Sequence, residues 1–449
     1  MPHETPQMPA EVTDFVAELQ WRGLYHQSTD DAAANETLRR HLADPESSPR
    51  KAYAGFDPTA DSLTIGNLVA IMLLVHFARA GHQPIVLMGG GTGLIGDPSG
   101  KSAERQLQTP EMVRANIDKQ RGIFERVFAN AGLPAPTIVN NLDWLGSLSY
   151  IEALRDIGKH FSVNMMMQKE SVKSRLESRE QGISYTEFSY MILQAYDFAH
   201  LFQHEGVTLQ MGGSDQFGNI GAGSDLIRRA RSASDGDESI AFGLTAPLVT
   251  KADGGKFGKT ETGAVWLTAE RTSAYAMYQF WLNADDSDVI KFFKLFTLLS
   301  KAEIEALEAA HAAEPHKRKA HRALAMHATS LVHGEAAAID AKAASEALFS
   351  GDVRTLSADL LDQVFEGVPS SAHSMADLAG DGLDLVELLI QTTLAKSKRE
   401  AREFIGNGSV SINGEKATEG RALVEADLLH GSIIALRRGK KKWHVTRWA

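Results

Sequence analysis

Two short apolar segments separated by a helical pattern place the strongest constraint on how this chain can fold. Residues 51–55 and 84–88 have the length and apolar content of buried strands, and residues 67–80 lie between them. Apolar side chains recur at helical spacing in the middle segment: Leu68, Ile71, Met72, Val75 and Ala78. Strands joined through a helix pair in parallel, so the unit predicts an α/β layer with a parallel sheet.

The pattern predicts four parts along the chain. Residues 1–270 are predicted as an α/β domain, since another apolar segment ends in a glycine-rich turn at 212–216. Residues 271–349 are rich in helix-forming residues and predict an α-helical domain. Residues 350–382 mix glycine, proline and serine with short apolar pieces, which is typical of a linker. Residues 383–449 predict a small α+β domain.

Charge and cysteine content narrow the function classes. The 449 residues contain 46 Lys and Arg against 57 Asp and Glu, a net charge of −11, which disfavours a chain that binds nucleic acid throughout. From Lys396 onward, however, 12 basic residues face 6 acidic ones, so an acidic body ends in a basic segment suited to a polyanion. Because there is no cysteine, thiolate metal sites and cysteine nucleophiles are excluded. A metal would need oxygen or histidine ligands.

No segment has the pattern of a membrane span or a secretory signal. The longest apolar run, residues 68–77, contains a histidine and falls well short of the roughly 18 residues that cross a bilayer. The first six residues carry an acid and two prolines where a signal peptide has basic and then apolar residues. We therefore expect a cytoplasmic protein that does not contact membranes.

Two glycine-rich loops compete as nucleotide sites. Residues 91–96 match the dinucleotide pattern G-x-G-x-x-G after a strand, but Pro98 would interrupt the helix that should face the pyrophosphate. Gly100-Lys101-Ser102 imitates the end of a P-loop, yet Ile95 stands where the first glycine belongs. A plain glycine-rich connection remains the alternative for both loops.

Two other elements have the chemistry of an anion site. Residues 56–67 leave the first strand and open the long helix, whose free N–H groups attract phosphate while Gly66 permits close approach. Lys256 and Lys259 lie three residues apart in a second glycine-rich loop and could close over a phosphate chain. An ordinary capped turn and a solvated loop are the alternatives.

These segments resemble the class I aminoacyl-tRNA synthetases, and among them the bacterial tyrosine enzymes. Residues 64–67 (Thr-Ile-Gly-Asn) are similar to the HIGH signature of that class, and residues 256–260 (Lys-Phe-Gly-Lys-Thr) to its KMSKS loop. Further family segments match in order and spacing, over nearly the whole chain: residues 53–63, 96–101, 185–190, 194–197 and 212–216. The basic end, residues 394–414, is similar to the small RNA-binding fold that the family carries there.

The resemblance implies a Rossmann-like catalytic domain followed by a helical and an RNA-binding domain. It implies that tyrosine attacks the α-phosphate of ATP, that pyrophosphate leaves, and that the tyrosyl group moves to the 3′ end of tRNA(Tyr). ATP is then a substrate that brings Mg²⁺, and no metal ligand in the protein is predicted. The family is homodimeric. Ile151, Leu154, Ile157, Phe161 and Met165 lie at helical spacing and suit either an interface or a core, and we expect a core.

Site residues follow from the resemblance, position by position. Those expected to be catalytic are Thr64, in the HIGH-type segment, and six residues expected to contact the phosphates: Thr59, Lys101, Arg105, Lys256, Lys259 and Thr260. Those expected to bind tyrosine are Tyr53, Asp97, Tyr190, Gln194, Asp197 and Gln216. Those expected to bind the nucleotide are Gly55, Asp57, Gly66, Asn67, Gly213, Asp215 and Lys259. Those expected to bind RNA are Lys396, Lys398, Arg399, Arg402, Arg437, Arg438 and Lys440.

One position departs from the family pattern and leaves rival functions open. Thr64 stands where the HIGH signature has histidine, so its hydroxyl donates one hydrogen bond but reaches less far than an imidazole. That departure would suit an RNA-binding paralogue that no longer makes adenylate. The tryptophan enzyme is the second rival, although it would have little use for Tyr53 and Asp197 or for the basic end.

Overall fold

The computed structural model describes residues 12–97, 107–169, 172–173, 176, 183–230, 241–252, 254–255, 257–260, 263–439 and 441–449. The chain forms two compact units, one of Met1–Thr272 with Ala284–His333 and one of Ser273–Asn283 with Gly334–Ala449. The four-part domain division stays a prediction. Among the described residues, no helix is both long enough and apolar enough to cross a membrane.

The helices and strands are numbered along the chain. The helices are α1 (Phe15–Arg22), α2 (Glu36–Ala43), α3 (Leu68–Arg79), α4 (Pro110–Asn130), α5 (Leu142–Leu145), α6 (Tyr150–Glu152), α7 (Val163–Met167), α8 (Tyr185–Glu205), α9 (Phe217–Ala230), α10 (Ala274–Leu282), α11 (Val289–Phe296), α12 (Lys301–Ala313), α13 (Lys319–His333), α14 (Glu335–Ser350), α15 (Ala358–Val364), α16 (Leu385–Gln391) and α17 (Lys398–Gly406). The strands are β1 (Gln27–Ser28), β2 (Lys51–Phe56), β3 (Gln83–Met88), β4 (Thr137–Asn140), β5 (Val207–Gly213), β6 (Phe242–Ala246), β7 (Lys259–Thr260), β8 (Gly263–Ala264), β9 (Ser370–His373), β10 (Leu383–Asp384), β11 (Val410–Ile412), β12 (Glu415–Lys416), β13 (Ala422–Leu423), β14 (Ile433–Arg438) and β15 (Lys442–Trp448).

The first unit is built on a six-stranded sheet in the order β1-β6-β5-β2-β3-β4. Strand β2 lies in its middle and pairs in parallel with β3 and β5, and only the short β1 runs antiparallel, against β6. The predicted strand–helix–strand unit is confirmed as β2, α3 and β3, and the predicted α/β class is confirmed with it. Helix α3 is buried on nearly every side, which explains why its apolar residues are almost continuous.

The second unit contains a five-stranded sheet in the order β12-β11-β14-β15-β9. Strands β11 and β12 are joined by a two-residue turn at Asn413 and Gly414, both at positive φ, a conformation that Asn and Gly tolerate better than other residues. The segment predicted as a linker contributes α15 and also β9, which pairs in parallel with β15 at the sheet edge. Two apolar clusters fill this unit, one of them around Leu388, Ile405 and Leu436.

Candidate active site

The carboxyl ends of the parallel strands bring polar residues to one edge of the first unit's sheet. Asp57 follows β2 directly, Asn141 follows β4, and Asp215 and Gln216 follow β5. The connection after β3 adds Thr92 at the same edge. In open parallel sheets this edge is where ligands bind. The side chains that follow the strands are therefore the first candidates for chemistry.

Tyr53 and Asp197 share a buried region next to this edge. The Tyr53 side chain, on β2, is fully buried, and its hydroxyl has no hydrogen-bond partner among the described residues. Asp197, on α8, is also buried and lies close enough that its charge, together with burial, raises the pKa of Tyr53. A buried hydroxyl without a partner costs free energy unless a ligand satisfies it. The pair thus has the chemistry expected around the hydroxyl of a bound phenol.

Two hydrogen bonds hold the Asp197 carboxylate in place. Asn141 Nδ2 donates to Asp197 Oδ2 at 2.9 Å, and Trp144 Nε1 donates to Oδ1 at 2.8 Å. Burial raises the pKa of Asp197 to about 7, the two hydrogen bonds oppose that rise, and the charge of Asp57 adds to it. A carboxyl with this pKa changes from protonated to ionised as pH rises through about 7, and the ionised form is the stronger hydrogen-bond acceptor.

A chain of hydrogen bonds connects Asp197 to Asp57. Asn141 Nδ2 also donates to Thr92 Oγ1 at 3.0 Å, and Thr92 Oγ1 donates to Asp57 Oδ1 at 2.8 Å. The Tyr190 hydroxyl donates to the other oxygen, Asp57 Oδ2, at 2.9 Å. Such a network fixes the orientation of each member, because moving one would leave a buried donor or acceptor unpaired.

Carboxylates and amides form the next part of the edge. Gln216 Nε2 donates to Asp97 Oδ2 at 2.7 Å and lies 3.5 Å from Asp215 Oδ2. Gln194 Oε1 accepts from Asn219 Nδ2 at 2.9 Å. Burial raises the pKa of Asp215, and the charge of Asp97 contributes to that rise. The concentration of acidic oxygens favours a cationic group such as an ammonium.

Residues 64–67 lie against the loop that contains Gly258, in the first unit. Ile65 N donates to Val265 O at 2.9 Å, and Val265 N donates to Gly258 O at 3.0 Å. A Cβ on Gly258 would come within 2.5 Å of Ile65 Cγ2, so the loop backbone touches that residue. Two segments nearly 200 residues apart are thus brought together, as a shared phosphate site requires.

The start of α3 is left accessible. Thr64 Oγ1 and Thr64 N both reach Asn67 Oδ1, at 2.9 and 3.0 Å, so the threonine is held by its own turn. Gly66 and Asn67 are exposed, and Asn67 makes no side-chain cap to the helix. Asn67 N and Leu68 N donate within this turn, to Thr64 O at 2.9 Å and Ile65 O at 3.2 Å, so the exposed Gly66 and Asn67 and the positive end of the helix dipole are what the turn offers to an anion.

Several predicted phosphate contacts fall outside the described residues, namely Lys101, Arg105 and Lys256, as does Lys440 of the basic end. For Lys259 and Thr260 the structure describes only the backbone, which forms β7 and pairs with β8. Thr59 is exposed beside Asp57, whose carbonyl accepts from Thr59 N at 2.8 Å. Gly55 is exposed within β2, whereas a Cβ on Gly213 would meet Asp215 Oδ1 at 2.5 Å.

The dinucleotide alternative at residues 91–96 is not supported by the geometry. The segment forms a three-residue 3-10 turn, Thr92–Leu94, rather than the start of a longer helix. Gly91 N already donates to Asn141 Oδ1 at 2.7 Å. The loop therefore serves the network around Asp197 instead of offering free N–H groups to a pyrophosphate.

Comparison with known proteins decides the family. Residues 46–350 match the family model described as tRNA synthetases class I (W and Y), and residues 361–446 match the tyrosine–tRNA ligase SYY-like C-terminal domain. A tyrosine–tRNA ligase from Bacillus caldotenax is 53% identical over 440 residues, covering 97% of this chain and 100% of its own length. This chain belongs to the class I tyrosine–tRNA ligases.

Two further relatives agree with the family. The tyrosine–tRNA ligase of Roseiflexus castenholzii is 49% identical over 438 residues, covering 97% of this chain and 100% of its own. The crystal structure of a C-terminally truncated mitochondrial tyrosyl-tRNA synthetase from Aspergillus nidulans superposes with a TM-score of 0.67 at 29% identity. That superposition covers 75% of this chain and 95% of the other. The predicted family and fold class are both confirmed.

Within a tyrosine–tRNA ligase, three site residues stand out that the sequence did not indicate: Thr92, Asn141 and Trp144. Each holds Asp57 or Asp197 by a hydrogen bond. Asn141 follows the end of a parallel strand, the same signal that marked Asp57, but the four-residue strand β4 was too short to be recognised. The role of the Trp144 indole could not have been predicted, because a single tryptophan forms no sequence motif or periodic pattern that would indicate its hydrogen-bond partner.

The predicted RNA-binding residues differ in how accessible they are within the second unit. Lys396, Lys398, Arg399 and Arg402 are exposed at the start of α17. Arg437 lies over the Trp443 ring at 5.1 Å. Arg438 lies over the Phe404 ring and donates to Leu394 O. Lys398 already pairs with Glu387 of α16, and the two strand arginines also have partners in the same unit, so exposure is what distinguishes the four residues at the start of α17.

Proposed function

We propose that this tyrosine–tRNA ligase activates L-tyrosine with ATP at the strand edge of the first unit and then transfers it to tRNA(Tyr). The observation that carries the proposal is the buried Tyr53 hydroxyl, which has no partner in the described part of the chain and lies close to the buried Asp197 carboxylate with its two hydrogen bonds. A phenol hydroxyl can accept from one and donate to the other. Phenylalanine would leave the Tyr53 hydroxyl unpaired and would offer Asp197 no donor, and rejection of phenylalanine by tyrosine enzymes is the standard illustration of this effect.

The reaction requires positioning and charge stabilisation rather than a protein nucleophile. The tyrosine carboxylate attacks the α-phosphorus of ATP, the bond to the β-phosphate oxygen breaks, and pyrophosphate carries away the negative charge. We propose that Asp97, Gln194 and Tyr190 hold the ammonium while the exposed start of α3 faces the nucleotide. Lys256 and Lys259 are proposed to stabilise the negative charge that develops on the leaving pyrophosphate. Mg²⁺ is proposed to enter the site bound to ATP.

Amino-acid-dependent ATP–pyrophosphate exchange tests the function directly. We expect exchange with tyrosine, little with phenylalanine or tryptophan, and charging of tRNA(Tyr) by the same preparation. Exchange with tryptophan instead would favour the tryptophan enzyme. Absence of exchange with every amino acid, from a folded protein that still binds RNA, would favour the non-catalytic paralogue.

Tyr53→Phe should move activity and stability in opposite directions. The hydroxyl is buried and has no partner among the residues described, so its removal also removes a desolvation cost and stability should stay level or rise by about 1 kcal/mol. Tyrosine activation should fall about tenfold, because the substrate hydroxyl loses one partner. Exchange kinetics and denaturant unfolding measure the two effects. A variant that loses stability and activity together would show that Tyr53 is a core residue.

Thr64→His tests the one departure from the HIGH signature. Thr64 Oγ1 is engaged with Asn67 Oδ1, whereas an imidazole at this exposed turn could reach the phosphates. We expect the adenylation rate to rise or to stay unchanged in single-turnover measurements. A loss of about tenfold or more would mean that the threonine itself contributes about 1.4 kcal/mol to the transition state.

A homodimer is proposed from an apolar surface in the first unit. Ile151, Leu154 and Met165 are exposed, so the core expected for them is wrong, although Ile157 is buried as expected. Exposed apolar side chains also occur nearby in the chain, at Tyr150, Val163 and Met167. Apolar surface of this kind marks interfaces in soluble proteins.

Ile151→Asp should convert that dimer into monomers in sedimentation experiments, because a carboxylate buried at an apolar interface is unpaired. Leu107 provides the matched control, since both side chains are 68% exposed but Leu107 lies outside the 150–167 segment. Leu107→Asp should remain dimeric. Equal behaviour of the two variants would contradict the proposed interface.

For the tRNA, we propose that the exposed basic residues at the start of α17 contribute to binding. We propose the cytoplasm as the place where charging occurs.

A further inference from the structure

A cluster of two histidines and an aspartate lies in the helical part of the first unit, apart from the residues that we assign to catalysis. Asp286 precedes α11, His311 lies near the end of α12, and His321 lies in the first turn of α13. One possible ligand atom from each of the three side chains lies within 4.8 Å of the others. We propose that these residues form a binding site for a divalent transition metal such as Zn²⁺.

The distances between the ligand atoms suit a metal. His321 Nε2 lies 3.2 Å from Asp286 Oδ1, and His311 Nε2 lies 4.0 Å from the same oxygen. Ligand atoms that each bind a metal at about 2.0–2.2 Å stand about 3–4 Å apart. Small side-chain rotations would therefore bring all three into contact with one ion.

The donor set also suits such an ion. Two imidazoles and one carboxylate, with a water in the fourth position, are a ligand set that Zn²⁺ uses in proteins. This chain has no cysteine, so nitrogen and oxygen are the donors that it can offer a borderline-soft metal. His321 Nε2 donates to Ala284 O at 3.1 Å and His311 Nε2 donates to Asp286 O at 3.3 Å, so a bound ion would replace these two hydrogen bonds and the ring protons would move to Nδ1.

Burial gives the cluster a closed side and an open side. The His321 side chain is fully buried and that of His311 is 12% exposed, whereas that of Asp286 is 60% exposed. An ion can enter past the aspartate and reach imidazoles that packing already holds. Arg318 acts electrostatically on His321 and opposes a second cation, so binding is weaker than in a site without that charge.

The consequence would be structural. A bound ion would connect the turn before α11 to α12 and α13, three segments distant in the chain. An ion that binds only the folded protein raises its stability with increasing metal concentration. The site would thus clamp the helical part of the first unit without taking part in adenylate formation.

Metal titration of the full chain, without an affinity tag and freed of metal by a chelator, tests the site. Calorimetry with Zn²⁺ should give one equivalent per chain, and the thermal midpoint should rise by a few degrees at saturation. Co²⁺ in its place should give visible absorption bands of a low-symmetry site. Absence of saturable binding near one equivalent would overturn the proposal.

Variants assign any binding to the cluster. Asp286→Asn and His311→Gln should each weaken Zn²⁺ affinity at least about tenfold, and because neither side chain is fully buried the fold should survive. His316→Gln is the matched control, since His316 is an exposed histidine in the connection between α12 and α13. It should bind as the unaltered protein does. Unchanged affinity in both cluster variants, or an equal loss in the control, would contradict the site.

Discussion

Asp197→Asn should lower kcat/KM for tyrosine activation about 100-fold, the largest effect expected of a single polar substitution in this protein. Each oxygen of the Asp197 carboxylate accepts one hydrogen bond, from Asn141 and from Trp144. An amide has one oxygen, so its NH₂ group would face one of those donors and leave it buried and unpaired. The substrate hydroxyl would also lose a charged acceptor. Together these losses amount to about 3 kcal/mol of transition-state stabilisation.

Exchange kinetics with two amino acids separate this effect from general damage. Asp197→Asn should reduce tyrosine activation far more than the residual activation of phenylalanine, which has no hydroxyl to pair. Asp225→Asn is the matched control, since Asp225 lies on α9, where it pairs with Arg228 at the surface. It should change neither rate. Equal losses for tyrosine and phenylalanine would mean that Asp197 supports the fold of the pocket instead of recognising the hydroxyl.

The same residue makes stability depend on pH in a defined direction. Burial raises the pKa of Asp197 to about 7 in the folded protein, above its ordinary value of 3.8. The folded state therefore holds a proton that the unfolded chain has lost, and this contribution fades as pH rises from about 4 to about 7. Asp197→Asn, which does not ionise, should become more stable relative to the unaltered protein over that range, by about 4 kcal/mol at most. Denaturant midpoints at both ends of the range measure the difference.

Tyrosine affinity should move the opposite way. The ionised carboxylate is the stronger acceptor for the phenol hydroxyl, so affinity should rise as pH increases through about 7, and the rise should be absent in Asp197→Asn. A flat affinity profile in the unaltered protein would show that Asp197 is already ionised at lower pH. In that case the hydrogen bonds from Asn141 and Trp144 outweigh burial.

The framework of the site was predictable because it depends on local pattern. Continuous apolar strands and a periodic helix between them determine β2, α3 and β3, and parallel pairing places Asp57 at the strand edge. Pairing Tyr53 with Asp197 was not a matter of pattern. It came from the family resemblance, and the structure brings the two residues into one buried region.

Other features depend on contacts that no local pattern records. Asn141 reaches Asp197 across 56 positions, from a strand of four residues. Arg437 was predicted to bind RNA, yet its guanidinium lies where a side chain on Gly351 would be. Ile151 has the spacing of a core residue but is exposed, because periodicity identifies an apolar face without saying what covers it.

Gly258→Ala should lower the rate of adenylate formation about 30-fold or more while leaving the KM for tyrosine nearly unchanged. Gly258 has φ of +75°, which costs a residue with a side chain about 1–2 kcal/mol. Its added Cβ would lie 2.5 Å from Cγ2 of the fully buried Ile65, which cannot move away. The loop would have to withdraw from residues 64–67 and take Lys259 with it. Because Lys256 and Lys259 are proposed to stabilise negative charge that develops in the transition state, kcat should fall while the binding of tyrosine in the ground state should persist.

Gly254→Ala separates the contact from the backbone strain. Gly254 has a similar φ of +79°, but a Cβ there has no neighbour within 4 Å among the residues that the structure describes. Strain of about 1–2 kcal/mol alone should cost this variant about five- to thirtyfold at most, so the loss in Gly258→Ala beyond that of Gly254→Ala measures the closeness of the two segments. Single-turnover adenylate formation, with both substrates saturating, makes the comparison. If the two variants form adenylate equally slowly, the contact between Gly258 and Ile65 does not matter for the reaction. The loop would then act on ATP from a position that is not in contact with residues 64–67.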